Sequence, residues 1–371
     1  MLNYLKKLRI PKKYKSIDGI MLAVFFIMLW IPMGNISDKG IDLQENRTLA
    51  TKPKLLMENN TLNYNLGEQF DKWFNDRFFG RRYLLALHNK INQLHNNGSK
   101  KVIVGKDGWL FYRLNNGINN FANRTTLRKE KMEQGLKYLV DLNNWCKEQG
   151  KEFYYVIIPD KNKIYGEYFA NIKKERSDEY SIGHQFVNYI KENSDIKVLY
   201  LYDTLMANKD KGYLYYKQNT HWTELGAYYG YKAIMEMMGR SVKEYEFTNK
   251  QNIGDLYNLF PINKDESFYK STKLETNCMA NMDRTEIWCL NMQEKDRIAF
   301  FGDSFIEGLL PFLNDNFNQV RSFYYSYYPY FPFTDAYVEL IKDYADIIVL
   351  ENVERKIPVI LKLHFPENVT N

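Results

Sequence analysis

Five runs of this sequence are too apolar to face water on either side. They are FYYVIIP (153–159), KVLYLYD (197–203), RIAFFGDS (297–304), DIIVLEN (346–352) and a shorter one at VRSFYY (320–325). Between them apolar residues recur at helical spacing, over 128–149, over 178–193 and from Thr223 to Met238, where Thr223 is suited to cap the helix. A strand buried on one face alternates; a strand buried on both does not, and such strands separated by helices form a parallel sheet covered on each side. The chain therefore reads as α/β, a parallel sheet of about five strands sandwiched by helices. Residues 240–295 break the rhythm and read as an irregular insertion.

With 371 residues there is room for appendages ahead of that body. Residues 1–15, MLNYLKKLRIPKKYK, hold six Lys/Arg and no acid, and setting them aside leaves 45 basic against 45 acidic residues. The net charge of +6 thus belongs to one short tail, which excludes a basic nucleic-acid face on the folded part. The tail precedes an apolar stretch from Gly19 to Gly34, and basic residues ahead of such a segment keep the N-terminus in the cytoplasm. The stretch is shorter than the ~20 residues that span a bilayer comfortably, so a cleaved signal peptide competes. No small-x-small site follows it and Trp30 sits where an interfacial anchor would, which favours an uncleaved anchor. The expected organisation is a cytoplasmic tail over 1–18, a transmembrane signal anchor over 19–35, an extracytoplasmic linker and helical region over 36–100, and the main domain over 101–371. The domain would then lie in the periplasm or otherwise outside the inner (cytoplasmic) membrane. Within the linker region, apolar spacing from Glu68 to Leu94 is helical with a break near Gly80. KKVIVGKDGWLFYRL then reads as strand, turn, strand around Gly105 and Gly108.

Cys278 and Cys289 are placed to close a short loop, while Cys146 lies on an amphipathic helix as a buried thiol would. No cysteine pair has zinc spacing and the five histidines form no HExxH, so neither metal nor cofactor chemistry is expected.

The sharpest chemical signal is FFGDSF, Phe300 to Phe305, where a buried strand runs through Gly302-Asp303-Ser304 into a helix. That places Ser304 at the C-terminal edge of the sheet, where open α/β folds bind ligands and a helix N-terminus offers N–H groups to an oxyanion. The plainer reading of Ser304 is a helix cap. The second signal is His221 in KQNTHW, on a loop ahead of a helix. A lone histidine is more often structural, but a serine nucleophile needs a base within hydrogen-bond reach. The others fit less well: His88 and His95 fall in the early helix, His184 within a later one, and His364 after the last strand.

These segments together resemble the SGNH-like polysaccharide O-acetyltransferases of the alginate acetylation type and the related DHHW proteins. The resemblance rests on GKDGWLFY (Gly105 to Tyr112), IPDKNKIY ending at Tyr165, NTHWTELGA, Gly254-Asp255-Leu256, GDSF, and Glu351-Asn352-Val353-Glu354-Arg355, and covers about residues 70–356 in that family's order. It implies an SGNH-hydrolase-like fold and a Ser-His-Asp triad with Ser304 as nucleophile and His221 as base. The orienting aspartate falls on Asn219, a departure that removes the charge which steadies an imidazolium; Asp203 and Glu224 are the carboxylates to replace it in space.

The expected function is O-acetyl transfer to an exported or cell-surface polysaccharide, with a membrane-bound acetyl-donating acyltransferase as the partner the resemblance implies. A carbohydrate esterase would use the same residues with water as acceptor. A non-catalytic polysaccharide-binding assembly subunit is the alternative motivated by Asn219. Lys161 and Tyr165, just past a strand end, and Arg355 are candidates to contact substrate. Trp222 reads as a packing anchor for the histidine loop, and the tyrosine-rich run FYYSYYPYFPF (323–333) could line an acceptor groove.

Overall fold

The structure is a computed structural model that describes residues 19–27, 41–42, 47–57, 60–81, 84, 87, 91, 101–113, 117–169, 172–251, 267–271, 278–280, 286–324 and 345–365. Gly254 to Leu256, His88, His95, Trp30 and all of the tyrosine-rich run beyond Tyr324 lie outside these residues. The chain divides into two units, 1–95 and 96–371.

In the first unit, residues 19–27 are helical with exposed apolar side chains such as Ile20 and Phe25. Among the described residues no helix is long and apolar enough to cross a membrane. The helix Leu66–Arg77 buries Trp73, and its end is held by Arg77, whose Nη2 donates to Ala50 O at 2.9 Å. Gly80 follows with φ +84°, a conformation glycine adopts without strain, and this is where the helical spacing of the sequence breaks.

The second unit is built on strands β3 (Glu152–Ile158), β4 (Lys197–Tyr200), β7 (Arg297–Gly302), β8 (Gln319–Tyr324) and β9 (Ile347–Val353), after a small antiparallel pair β1 (Val102–Val104) and β2 (Leu110–Tyr112). These five lie parallel in the order β4-β3-β9-β7-β8. The sheet then continues through two antiparallel strands, β6 (Glu286–Leu290) and β5 (Cys278–Ala280). The sheet is therefore mixed, not wholly parallel, and the expected irregular insertion supplies its far edge together with a separate pair, Phe247–Gln251 with Ser267–Ser271. Cys278 and Cys289 face each other in register there and form a disulfide, while Cys146 is a free buried thiol.

Each parallel strand is apolar on both sides because each side has its own core. Tyr154, Val156 and Ile158 of β3, Ile347 and Val349 of β9, and Ile298 and Phe300 of β7 point one way. Phe153, Tyr155, Ile157, Ile348, Leu350, Ala299 and Phe301 point the other. The helices α3 (Glu224–Met237) and α4 (Ile306–Asn314) cover the first face. The helices α1 (Lys129–Glu148) and α2 (Ile182–Asn193) cover the second. Thr223 caps α3, its Oγ1 accepting from Gly226 N at 3.1 Å, as the sequence suggests. The α/β/α layering leaves the C-terminal strand ends open for loops, and the candidate site lies there.

Candidate active site

β7 ends at Gly302, and the backbone turns through Asp303, Ser304 and Phe305 into α4. The turn is fixed from behind by β9. Asp303 accepts from Phe305 N through Oδ1 at 3.1 Å and from Val353 N through Oδ2 at 3.0 Å, and its own N–H donates to Glu351 Oε2 at 3.0 Å. Glycine is required at 302 because a Cβ there would stand 2.3 Å from Glu351 Oε2 and 2.6 Å from Glu351 O. Glu351 is fully buried, and among the described residues its Oε1 has no hydrogen-bond partner. Burial, then the neighbouring Asp303 charge, push its carboxyl well above the usual range. With β9 stapling the turn, Ser304 is left exposed while its neighbours Asp303 and Phe305 are buried.

His221 comes from a tight loop closed by a bridge between Tyr215 and Trp222. The loop leans on the serine turn through Trp222, whose Nε1 donates to Phe305 O at 3.1 Å, and through the His221 ring, 4.9 Å from the Phe305 ring. Trp222 is buried at 3% exposure, the anchor role its position in the sequence suggests.

This packing brings three of the candidate residues together. His221 Nε2 is 2.6 Å from Ser304 Oγ, and His221 Nδ1 is 2.7 Å from Asn219 Oδ1. Thr220 Oγ1 also approaches Nδ1, at 3.2 Å. The orientation of the Asn219 amide has a physical cause. Its Oδ1 also accepts from the backbone N–H of His221 at 2.9 Å. That N–H can only donate, so the atom facing it must be the amide oxygen and not the amide nitrogen. With oxygen at Nδ1, the ring carries its proton on Nδ1 and presents the lone pair of Nε2 to the Ser304 hydroxyl. That is the tautomer a general base needs, and the one an amide often fails to enforce at this position. Asp203 lies on the helix Tyr202–Ala207, where its charge acts on His184, and Glu224 opens α3.

The other three candidates sit around this arrangement with protein partners. Lys161 is 5% exposed, and its Nζ donates to Tyr216 O, Lys217 O and Asn219 O at 2.9, 2.8 and 2.9 Å. Tyr165 is 3% exposed; its hydroxyl accepts from Leu214 N at 2.8 Å and its ring stacks on Trp109 at 4.4 Å. Arg355 pairs with Asp160 and lies over the rings of Tyr112 and Phe305. Arg355, Asp160, Asn162, Tyr112 and Thr220 line a cavity of about 20 Å³ beside the histidine loop, room for about one water. Sequence reasoning assigned no role to Asp160, Asp303 and Glu351. Each falls in a segment that carries the family resemblance and stands at the end of a strand otherwise apolar, the signals that could have marked them.

The other two described histidines have partners elsewhere. His184 lies in the first turn of α2, its Nδ1 2.8 Å from Ser181 Oγ, and His364 meets Gln134 at 2.9 Å. Among the described residues no group of His, Cys, Asp and Glu side chains could hold a metal ion.

A family model described as the SGNH hydrolase-like domain of the acetyltransferase AlgX matches residues 102–323. A curated relative named "Probable alginate O-acetylase AlgJ", from Pseudomonas putida, is 22% identical over 221 residues, 60% of this chain and 53% of that protein. A protein of the same name from Pseudomonas syringae pv. tomato is 28% identical over 165 residues, 43% of this chain and 38% of that one. The chain thus spans about half the length, or less, of these relatives. Among solved structures, Bacillus cereus PatB1 superposes with a TM-score of 0.51 at 19% identity, covering 71% of this chain and 99% of that one, a likeness of fold.

Proposed function

The chain belongs to the SGNH hydrolase-like acetyltransferase family of the AlgX type, and from that premise we propose that it transfers acetyl groups to hydroxyls of an exported or cell-surface polysaccharide through an acetyl-Ser304 intermediate. The observation that carries this reading is the hydrogen-bonded line from Asn219 Oδ1 through His221 to Ser304 Oγ, at 2.7 and 2.6 Å.

In the first half-reaction Ser304 Oγ attacks the carbonyl carbon of the acetyl donor while its proton passes to His221 Nε2. The tetrahedral oxyanion is met by the Ser304 N–H, which donates to no acceptor among the described residues and stands ahead of the N-terminus of α4. The donor's leaving group departs with the proton from Nε2. In the second half-reaction His221 takes the proton of a sugar hydroxyl, whose oxygen attacks the acetyl carbon; Ser304 leaves and recovers the proton. Asn219 holds the tautomer throughout but adds no negative charge, so the imidazolium is less stabilised than it would be beside a carboxylate and turnover is slow.

Location follows the N-terminal charge pattern. Six basic residues ahead of the Gly19 to Gly34 stretch support an anchor that leaves the body outside the inner membrane, where a membrane-bound acyltransferase would deliver acetyl groups. Arg355, at the cavity beside the histidine loop, is the candidate to touch substrate.

The test is intact-mass spectrometry of the full chain after exposure to an activated acetyl ester, with and without oligosaccharide acceptors. The expected result is one acetyl on Ser304, absent in Ser304→Ala, that moves to sugar hydroxyls. Release only as acetate would make the protein an esterase. A wild type that never acylates would make it a binding subunit.

A further inference from the structure

We propose that Lys161 is a positioning residue for the reaction: its buried ammonium gathers the main chain of residues 216–219 and thereby sets Asn219 and His221 against Ser304. The inference rests on the Ser304–His221 reading above and extends it to a group that touches none of the reacting atoms.

Ser304 needs no such help, because its turn is stapled to the sheet by Asp303 and Glu351. His221 sits on a loop closed by the bridge between Tyr215 and Trp222, and a turn of this kind does not by itself fix a side chain to a few tenths of an ångström. Lys161 adds a restraint on the main chain ahead of the histidine, from a rigid element. It opens the short helix Lys161–Ile164 directly after β3, two strands from β7 in the same sheet. An ammonium has three donors, and three carbonyls of one short loop converge on it at 2.8 to 2.9 Å, those of Tyr216, Lys217 and Asn219.

Only a cation is suited to this place. Carbonyl oxygens repel one another, and three of them turned to one point need a positive centre between them. The rings of Trp109 and Phe111 complete the enclosure, with Nζ 5.3 and 5.0 Å from their centroids. Lys217 O is also held by Leu110 N at 2.9 Å, so the β1–β2 pair pins the same loop from its other side.

The contact at Asn219 gives the arrangement its chemical meaning. The Asn219 carbonyl is fixed by Lys161, and its side-chain Oδ1 holds both the backbone N–H and the ring Nδ1 of His221. Fixing the main chain of residue 219 therefore fixes the amide that selects the tautomer. Where a charged orienter would pull the ring into place from a range of positions, a neutral amide holds it only when already in register. A displacement on the scale of 1 Å costs about 10²-fold in rate.

The experiment is the acylation burst of the full chain with an activated acetyl ester, for wild type, Lys161→Met and Lys161→Ala. Lys161→Met keeps the aliphatic volume and is expected to slow the acylation rate constant by about 10²-fold with little change in the ester concentration for half-maximal rate. For Lys161→Ala, propylammonium is expected to restore acylation saturably and propanol is not, since the cation and not the bulk is required; this arm decides the matter should Lys161→Met fail to fold. A wild-type rate in Lys161→Met, a loss confined to the half-saturating concentration, or equal rescue by propanol overturns the positioning role. A wild type in which Ser304 never carries an acetyl group removes the acyl-enzyme reading itself, and the positioning role with it.

Discussion

The indole Nε1 of Trp222 donates to the main-chain oxygen of Phe305 at 3.1 Å, so the residue after the histidine is bonded to the residue after the serine. The same indole fills the space above Gly308 of α4, where a Cβ would stand 2.5 Å from Nε1. The distance between base and nucleophile is thus set by a buried contact one residue removed from each. Trp222→Phe keeps the ring in the core and deletes the bond. Stopped-flow acylation should slow by about 10-fold, the effect of a sub-ångström misplacement, with about 1 kcal/mol lost in chemical denaturation. Unchanged acylation in a folded Trp222→Phe would mean that the ring's shape alone sets the spacing.

A second prediction concerns Glu351. Its carboxyl is raised by burial and then by Asp303, so the folded protein holds a proton there that the unfolded chain gives up at ordinary glutamate pH. The unfolded state then binds fewer protons, and stability falls as pH rises from the unfolded glutamate value toward the folded one. The slope approaches about 1.4 kcal/mol per pH unit for a single group. In Glu351→Gln the amide oxygen can still accept from Asp303 N while nothing remains to ionise. Urea melts between pH 5 and 8 should therefore show wild-type stability declining where the variant is flatter, and parallel curves would contradict the protonated assignment.

Much of this arrangement is legible in the sequence, for physical reasons that also mark where legibility stops. Ser304 can be placed because a strand buried on both faces must end at a sheet edge, and His221 because a polar loop between apolar elements has few other uses for an imidazole. β5 and β6 escape notice because they are short strands at one end of the sheet: Ile287 and Cys289 of β6 are buried while Leu290 is exposed, an alternation too brief to stand out in a polar segment. Lys161 looks like a ligand contact because sequence shows a charge near a strand end and cannot show three main-chain carbonyls arriving from residues 216–219. The same limit hides Asp303, whose partners Phe305 N and Val353 N are backbone groups, one of them 50 residues on.

The Cys278–Cys289 bridge ties the two antiparallel strands at the sheet edge. Closing a loop of that length restricts the unfolded chain by about 3 kcal/mol. β7 lies two strands inward from β6, so the bridge has no direct hold on the serine turn. Cys278→Ala/Cys289→Ala should lower the unfolding free energy by ~2–3 kcal/mol while the acylation rate constant of the folded fraction stays at the wild-type value. A matching fall in acylation would show that the edge strands shape the site.

Asn219 poses the sharpest question of the chain, since it holds the imidazole at 2.7 Å without a charge. Asn219→Asp places a carboxylate where Oδ1 now accepts from the His221 N–H and the ring, bonds an acid keeps and strengthens. The new charge would stand beside the Lys161 ammonium that already holds the Asn219 carbonyl, which offsets part of the cost of placing it in a half-buried loop. The imidazolium formed when Ser304 gives up its proton would then be stabilised by charge as well as by orientation. Because the amide already enforces the useful tautomer, only part of the ~10⁴ that separates acid from amide in a serine protease is at stake. Acetyl-ester turnover should rise by at least ~10-fold. An unchanged or lower rate in a folded Asn219→Asp would mean that another acid already serves His221, or that the ring is no base. A clear gain would establish His221 as a working base held in place by an amide.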